Sequence, residues 1–141
     1  MHTIGYTTGV FDLFHIGHLN ILRRAKENCD YLIVGVATDE LVQNYKNKSP
    51  IIPYSERKAI IEAIRYVDKV VPHETLDKVE AFSHLRFNVF FIGDDWKGHP
   101  RYIETEKRFN ELGVKIIYFP YTKGTSSTLI ADVLREKQSN L

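Results

Sequence analysis

Cysteine is nearly absent. Cys29 is the only one in 141 residues, so no disulfide can close within the chain, and a reducing compartment suits it. Charge of one sign is not in excess either. The 19 Lys and Arg residues against 18 Asp and Glu leave a formal net charge of +1, too little for a global field that would draw the chain to nucleic acid or a membrane surface. Anion binding must therefore come from local clusters. No apolar run approaches the roughly 20 residues that a bilayer span needs, and no basic segment followed by an apolar one opens the sequence. The expected location is the cytoplasm. His2, His73, His84 and His99 lack the partner spacing of a zinc site, so they are assigned no chemistry.

What is present is an ordinary globular composition, 43% hydrophobic and 26% charged, at a length that predicts one domain over residues 1–141. No repeat, low-complexity tract or linker divides it. Apolar runs alternate with helical periodicity. Strands are expected over 2–9, 31–37, 67–72, 89–92 and 114–119. Helices are expected over 17–28, 56–65 with Ser55 as N-cap, 76–86, 100–112 ending at Gly113, and 127–137. A polar, lysine-bearing loop is expected from Asp39 to Pro53. Near-continuous apolar strands such as Tyr31 to Ala37 indicate a sheet covered on both faces, and the alternation predicts an α/β, Rossmann-like three-layer sandwich with a parallel five-stranded sheet. The aromatic run Phe87, Phe90, Phe91 is read as core. Ligands bind such sheets beyond the carboxyl ends of the strands. Three polar segments follow strands there and should meet: Gly9 to His18, Gly93 to His99, and Tyr121 to Thr128.

Four groups of residues carry chemistry. Thr8-Gly9-Val10-Phe11-Asp12 leads into His15-Ile16-Gly17-His18. Two imidazoles one turn apart at a helix start, beside free N–H groups and the positive end of the dipole, suit a phosphate whose charge is increasing. Gly9 permits close approach of backbone to that phosphate, and Gly17 leaves room between the imidazoles. This points to phosphoryl or nucleotidyl transfer. The second group, Gly93 to Gly98, follows an apolar strand and offers carboxylates to a base or ribose, although a polar turn has the same composition. In the third, Thr122, Gly124, Thr125, Ser126, Ser127 and Thr128 precede a helix and form a phosphate cradle or an N-cap cluster. The fourth is basic: Lys46, Lys48, Arg57 and Arg65 can neutralise phosphate, with Lys46 and Lys48 on the expected loop.

The segment Val10-Phe11-Asp12-Leu13-Phe14-His15-Ile16-Gly17-His18 resembles the signature of the cytidylyltransferases and their nucleotidyltransferase relatives. Arg65-Tyr66-Val67-Asp68, Gly93-Asp94-Asp95-Trp96 and Gly124-Thr125-Ser126-Ser127-Thr128 resemble further motifs of that family, in order and at suitable spacing. The resemblance covers nearly the whole chain and is nearest to the branch that acts on glycerol 3-phosphate. It implies a strand order of 3-2-1-4-5. It also implies transfer of CMP from CTP to a small phosphate monoester, with Mg²⁺ or another divalent cation held mainly by the phosphates, and a homodimer. By the same resemblance His15, His18 and Lys46 are catalytic. Thr8, Gly9, Val10, Phe11, His15, His18, Asp95, Trp96, Thr122, Gly124, Thr125, Ser126, Ser127 and Thr128 hold nucleotide, while Lys46, Arg57 and Arg65 hold substrate phosphate, with Lys48 able to substitute for Lys46.

The chain departs from the family where Tyr121 replaces the usual Arg, Lys123 an acidic residue, and Val10 a hydroxyl residue. Lysine offers a point charge where arginine offers a bidentate fork. Adenylyl transfer from ATP and acceptors such as phosphoethanolamine, phosphocholine or a sugar phosphate are the alternatives within the family. His-Ile-Gly-His is also the signature of class I aminoacyl-tRNA synthetases, but their Lys-Met-Ser-Lys-Ser motif is missing here. A nucleotide-binding sensor without turnover is the rival from another class, and it gives a histidine pair no purpose.

Overall fold

The computed structural model describes residues 3–93, 100–120 and Leu134. Five strands, β1 (Ile4–Gly9), β2 (Tyr31–Ala37), β3 (Lys69–His73), β4 (Val89–Gly93) and β5 (Lys115–Phe119), form one sheet in the order β3-β2-β1-β4-β5. Every pairing is parallel. Between them run α1 (Ile16–Glu27), α2 (Asp39–Lys46), α3 (Tyr54–Glu62), the short α4 (Phe82–Leu85) and α5 (Pro100–Glu111).

Alternation along the strands divides the core into two layers. Leu32, Val34 and Val36 of β2, with Val89 and Phe91 of β4, pack with Leu22 and Ala25 of α1 and Ile61 of α3. Ile33 and Phe90 face the other way, toward Tyr6, Phe87, Phe109 and Val114. The aromatic run is core, as expected: Phe87, Phe90 and Phe91 are each at most 1% exposed. No helix among the described residues is long and apolar enough to cross a membrane.

Strand order reverses between β1 and β4. Their pairing stops at Thr7 and Phe91, while β1 continues along β2 to Gly9–Val36 and β4 along β5 to Gly93–Phe119. The Thr7 hydroxyl, donating to the Phe91 carbonyl at 2.9 Å, closes the last paired rung. Beyond it the two strands part, which opens the crevice that a doubly wound sheet offers to ligands.

Three expectations need correction. The loop from Asp39 to Pro53 is helical in its first half. Thr38 caps α2 by accepting from the Leu41 N–H at 3.2 Å, Asp39 and Glu40 sit in the first turn, and Leu41 and Val42 are buried. Those two apolar residues make too short a stripe to read as periodic in sequence. α3 begins at Tyr54 behind Pro53, so Ser55 is a first-turn residue and not the cap, and the helix ends at Glu62. The helix over 76–86 shrinks to Phe82–Leu85 because side chains take the N–H groups. Thr75 accepts from Asp77 N and Asp77 from Val79 N, local turns that compete with a helix. Gly113, at φ 79°, follows α5 as predicted. The helix over 127–137 lies outside the described residues except for Leu134, which is helical.

Phe91 is fully buried on a central strand and stacks on Phe119 at 5.4 Å. Phe91→Ala should therefore destabilise the fold by about 3–5 kcal/mol, read as a lower urea midpoint.

Candidate functional site

The crevice opens into a cavity of about 350 Å³ at the carboxyl ends of the strands. Thr8, Gly9, Val10, Phe11 and His18 form its floor, and Ile92, Gly93 and Pro120 form one side. Ala37, Leu41, Tyr45 and Lys46, with His73, Leu76 and Lys78, form the other.

His15 and His18 are held by the helix start itself. His15 is the N-cap of α1: its Nδ1 accepts from the Gly17 N–H at 3.0 Å, and His18 Nδ1 accepts from the His15 N–H at 3.3 Å. The rings stack, with centroids 4.0 Å apart. An Nδ1 that accepts carries no proton, so each neutral ring keeps its proton on Nε2. Burial lowers the His15 pKa. For His18, burial, then the charge of His15, push it down to about 4, against a smaller upward pull from Asp12. Both rings are neutral Nε2–H donors near pH 7. They orient a proton toward an anion without adding full positive charge.

Two residues of the loop before α1, Phe11 at φ 56° and Leu13 at φ 51°, occupy the left-handed region, which L-residues rarely adopt. Surrounding bonds hold the loop there. The Asp12 carboxylate accepts from the Ile51 and Ile52 N–H groups at 2.8 and 2.9 Å. Gly9 is needed beneath it, because a Cβ there would stand 2.8 Å from the Phe11 ring. That ring lies edge-on to His18, 5.4 Å between centroids.

Arg57 is not a phosphate ligand in this arrangement, contrary to expectation. It is 0% exposed. Its Nε donates to the Ile52 carbonyl, its Nη1 to those of Val10 and Ala37, and its Nη2 to Asp39 at 2.6 Å. The guanidinium ties together the ends of β1, β2 and the lysine segment. Arg65 is not brought to the cavity either. α3 runs back against the strand direction, so the residues after it lie at the amino edge of the sheet. There Arg65 is exposed over the Tyr66 ring at 5.2 Å, and Asp68 accepts from the Leu32 N–H and from Lys26.

Lys46, at the end of α2, lines the cavity. Its pKa is lowered by burial and by the charge of Lys48, partly offset by Asp12. Lys48 itself is exposed and does not line the cavity. Asp95, Trp96, Tyr121, Lys123, Thr122, Gly124, Thr125, Ser126, Ser127 and Thr128 lie outside the described residues; Gly93 and Pro120, which precede their two segments, line the cavity.

Sequence reasoning missed the roles of Asp12 and Asp39, and the contact at the cavity wall in which His73 Nε2 lies 2.6 Å from Lys78 Nζ. Asp12 and Asp39 were legible only as residues just after strands. His73, expected to fall past the end of β3, is its last residue. Among the described residues no group of three or more His, Cys, Asp or Glu is arranged to hold a metal ion, and the Asp12 carboxylate is occupied by two backbone N–H groups.

Residues 6–133 match the cytidylyltransferase-like family model. The glycerol-3-phosphate cytidylyltransferase of Bacillus subtilis (strain 168) is 38% identical over 128 residues, 89% of this chain and 92% of that protein. The FAD synthase of Pyrococcus abyssi (strain GE5 / Orsay) is 40% identical over 114 residues, 80% of this chain and 77% of that protein. Among solved structures, a lipopolysaccharide core biosynthesis protein from Thermoplasma volcanium GSS1 superposes with a TM-score of 0.73 at 27% identity, covering 89% of this chain and 100% of that one.

Two outcomes follow from the geometry. Arg57→Leu removes a buried cation and strands three carbonyls and Asp39, so it should cost about 3–5 kcal/mol in urea denaturation. His18 and His73 are held neutral, with pKa values lowered to about 4 and about 3. A depressed folded-state pKa means that protons bind the unfolded chain first. Stability should therefore be full above the ordinary histidine pKa and decline as pH falls from about 6.5 toward 4, visible as a falling urea midpoint over that window.

Proposed function

The chain belongs to the cytidylyltransferase-like family, and we propose that it transfers CMP from CTP to a small phosphate monoester, with glycerol 3-phosphate first among acceptors. The carrying observation is the pair of stacked, neutral histidines whose Nδ1 atoms accept backbone N–H bonds. His18 lines the crevice together with Thr8, Gly9, Val10 and Phe11, and His15 stacks on it.

An oxygen of the acceptor phosphate attacks the α-phosphorus of CTP in line. The new P–O bond forms as the bond to the β-phosphate bridging oxygen breaks, and pyrophosphate leaves with that electron pair. No covalent enzyme intermediate is required, so the protein contributes positioning and charge stabilisation. His15 and His18 donate to phosphate oxygens as negative charge grows there. Lys46, with Lys48 beside it, neutralises the approaching dianion, whose repulsion by the triphosphate otherwise opposes encounter. A divalent cation such as Mg²⁺, held by phosphate oxygens, would neutralise the leaving pyrophosphate. We extend the reading to a homodimer working in the cytoplasm, the first part of which light scattering checks.

The likeness to an FAD synthase favours one second reading, adenylyl transfer from ATP. Incubation with Mg²⁺, CTP or ATP, and a panel of phosphate monoesters separates the two. Pyrophosphate release with CTP and glycerol 3-phosphate is expected. Release with ATP alone would transfer the assignment to the second reading, and release with no pair would overturn both. His18→Ala should lower turnover by about 10²–10³ with an unchanged circular dichroism spectrum.

A further inference from the structure

Between β3 and α4 the chain runs as a strap, residues 74–81, with neither strand pairing nor regular helix. Two of its side chains, Leu76 and Lys78, line the cavity. Leu76 packs on Ala37 of β2 and on Leu41 and Val42 of α2. Val79, only 9% exposed, belongs instead to the apolar cluster that holds Tyr102 and Phe109 of α5. The strap is thus anchored toward α2 at one point and toward α5 at another, with Asp77 between the two anchors.

Several polar contacts of the strap converge on Asp77. Its N–H donates to Thr75 Oγ1 at 3.2 Å, and its Oδ1 accepts from the Val79 N–H at 3.0 Å. Arg108 of α5 closes on the same carboxylate as a fork, Nη1 donating to Oδ1 at 3.2 Å and Nη2 to Oδ2 at 3.4 Å. Both side chains are nearly half exposed, so the pair contributes little to global stability. Its two-point geometry nevertheless orients the carboxylate, which a single contact would leave free to turn. The neighbouring Phe109 is fully buried, so the guanidinium projects from a turn of α5 that is fixed in the core. A segment without ladder or helix bonds opens at low cost. Leu76 and Lys78 flank Asp77, and a rotation at Asp77 turns both out of the cavity wall.

We propose that Arg108 is a positioning residue for the reaction: through Asp77 it sets the wall that the strap gives to the cavity, while itself lying outside the cavity lining. The proposal rests on the transferase reading above. The segments that resemble nucleotide motifs follow β1, β4 and β5, whereas the strap follows β3. A displaced strap is therefore felt by the phosphate monoester more than by the nucleoside triphosphate. The strap's apolar anchors set its height over the sheet, and the Arg108 fork sets its rotation.

The test measures kcat and KM for the nucleotide and for glycerol 3-phosphate, or whichever monoester the substrate panel selects. It compares the wild type with Arg108→Gln, Arg108→Lys, Asp77→Asn and the double variant Asp77→Asn/Arg108→Gln. Asp77→Asn keeps an acceptor for the Val79 N–H, so it removes the ion pair and spares the turn. Arg108→Gln and Asp77→Asn should each raise the KM for the monoester about two- to fivefold, the size of an exposed ion pair's coupling, with kcat and the KM for nucleotide changed less. Arg108→Lys, which keeps the charge and loses the fork, should fall between Arg108→Gln and the wild type. The double variant should be no worse than either single change, because the pair is already broken. The ratio of variant to wild-type KM should approach unity near 1 M salt, where a Debye length of about 3 Å weakens the pair in the wild type as well. A purely structural role would produce neither this salt dependence nor the split between the two KM values. If Arg108→Gln does not fold, Asp77→Asn and Arg108→Lys decide. Unchanged KM values in folded variants of a working enzyme, or an equal rise for both reactants, would overturn the positioning role alone. A wild type that turns over no monoester fails before any variant is compared, and overturns the transferase reading together with this one.

Discussion

The buried guanidinium of Arg57 is the contact on which the site depends. Four of its N–H groups bind the carbonyls of Val10, Ala37 and Ile52 and the carboxylate of Asp39. Each partner comes from a different segment: the loop after β1, the end of β2, the segment after the lysines, and the first turn of α2. A planar cation with a fixed fork can join four such points, and a lysine cannot. Asp12 completes the tie by accepting from Ile51 and Ile52. Together they offset the cost of holding Phe11 and Leu13 in left-handed backbone, a strain that persists only where the surroundings over-determine it.

With the loop fixed, the helix start does the rest. His15 and His18 cap the first turn of α1 with their Nδ1 atoms, and that capping decides their tautomer. The same bonds that satisfy orphan N–H groups at a helix terminus place protons on the Nε2 atoms. Structure and chemistry here are one set of hydrogen bonds. Burial strengthens the arrangement by keeping both rings uncharged, so in the free protein they neither repel each other nor attract a competing counter-ion.

The cavity has distinct sides because the sheet reverses direction at β1. β4 and β5 lie on one side of the reversal, β2 and β3 on the other, and two reactants can approach one point from opposite directions. Lys46 at the end of α2 and the Lys78–His73 pair belong to the second side. Leu41 and Leu76 line the same side.

Much of this was legible in the residues. Period-two and period-3.6 patterns placed the strands, α1 and α5, since each buries a long enough stripe to repeat. The His-Ile-Gly-His stretch pointed to phosphate chemistry through spacing alone. α2 was missed because its apolar stripe is two residues, and the 76–81 turns were missed because Thr75 and Asp77 side chains replace helix bonds.

Arg57 shows the limit most clearly. A basic residue near a phosphate motif reads as a phosphate ligand, and nothing local says that the distant carbonyls of Val10 and Ala37 meet its guanidinium. Sequence by itself determined the layers, the parallel sheet and the histidine pair, because those follow from periodicity and from neighbours along the chain. Only the tertiary structure decided which cations face the cavity and which are buried, because the desolvation and hydrogen bonds that assign those roles come from residues brought together by folding.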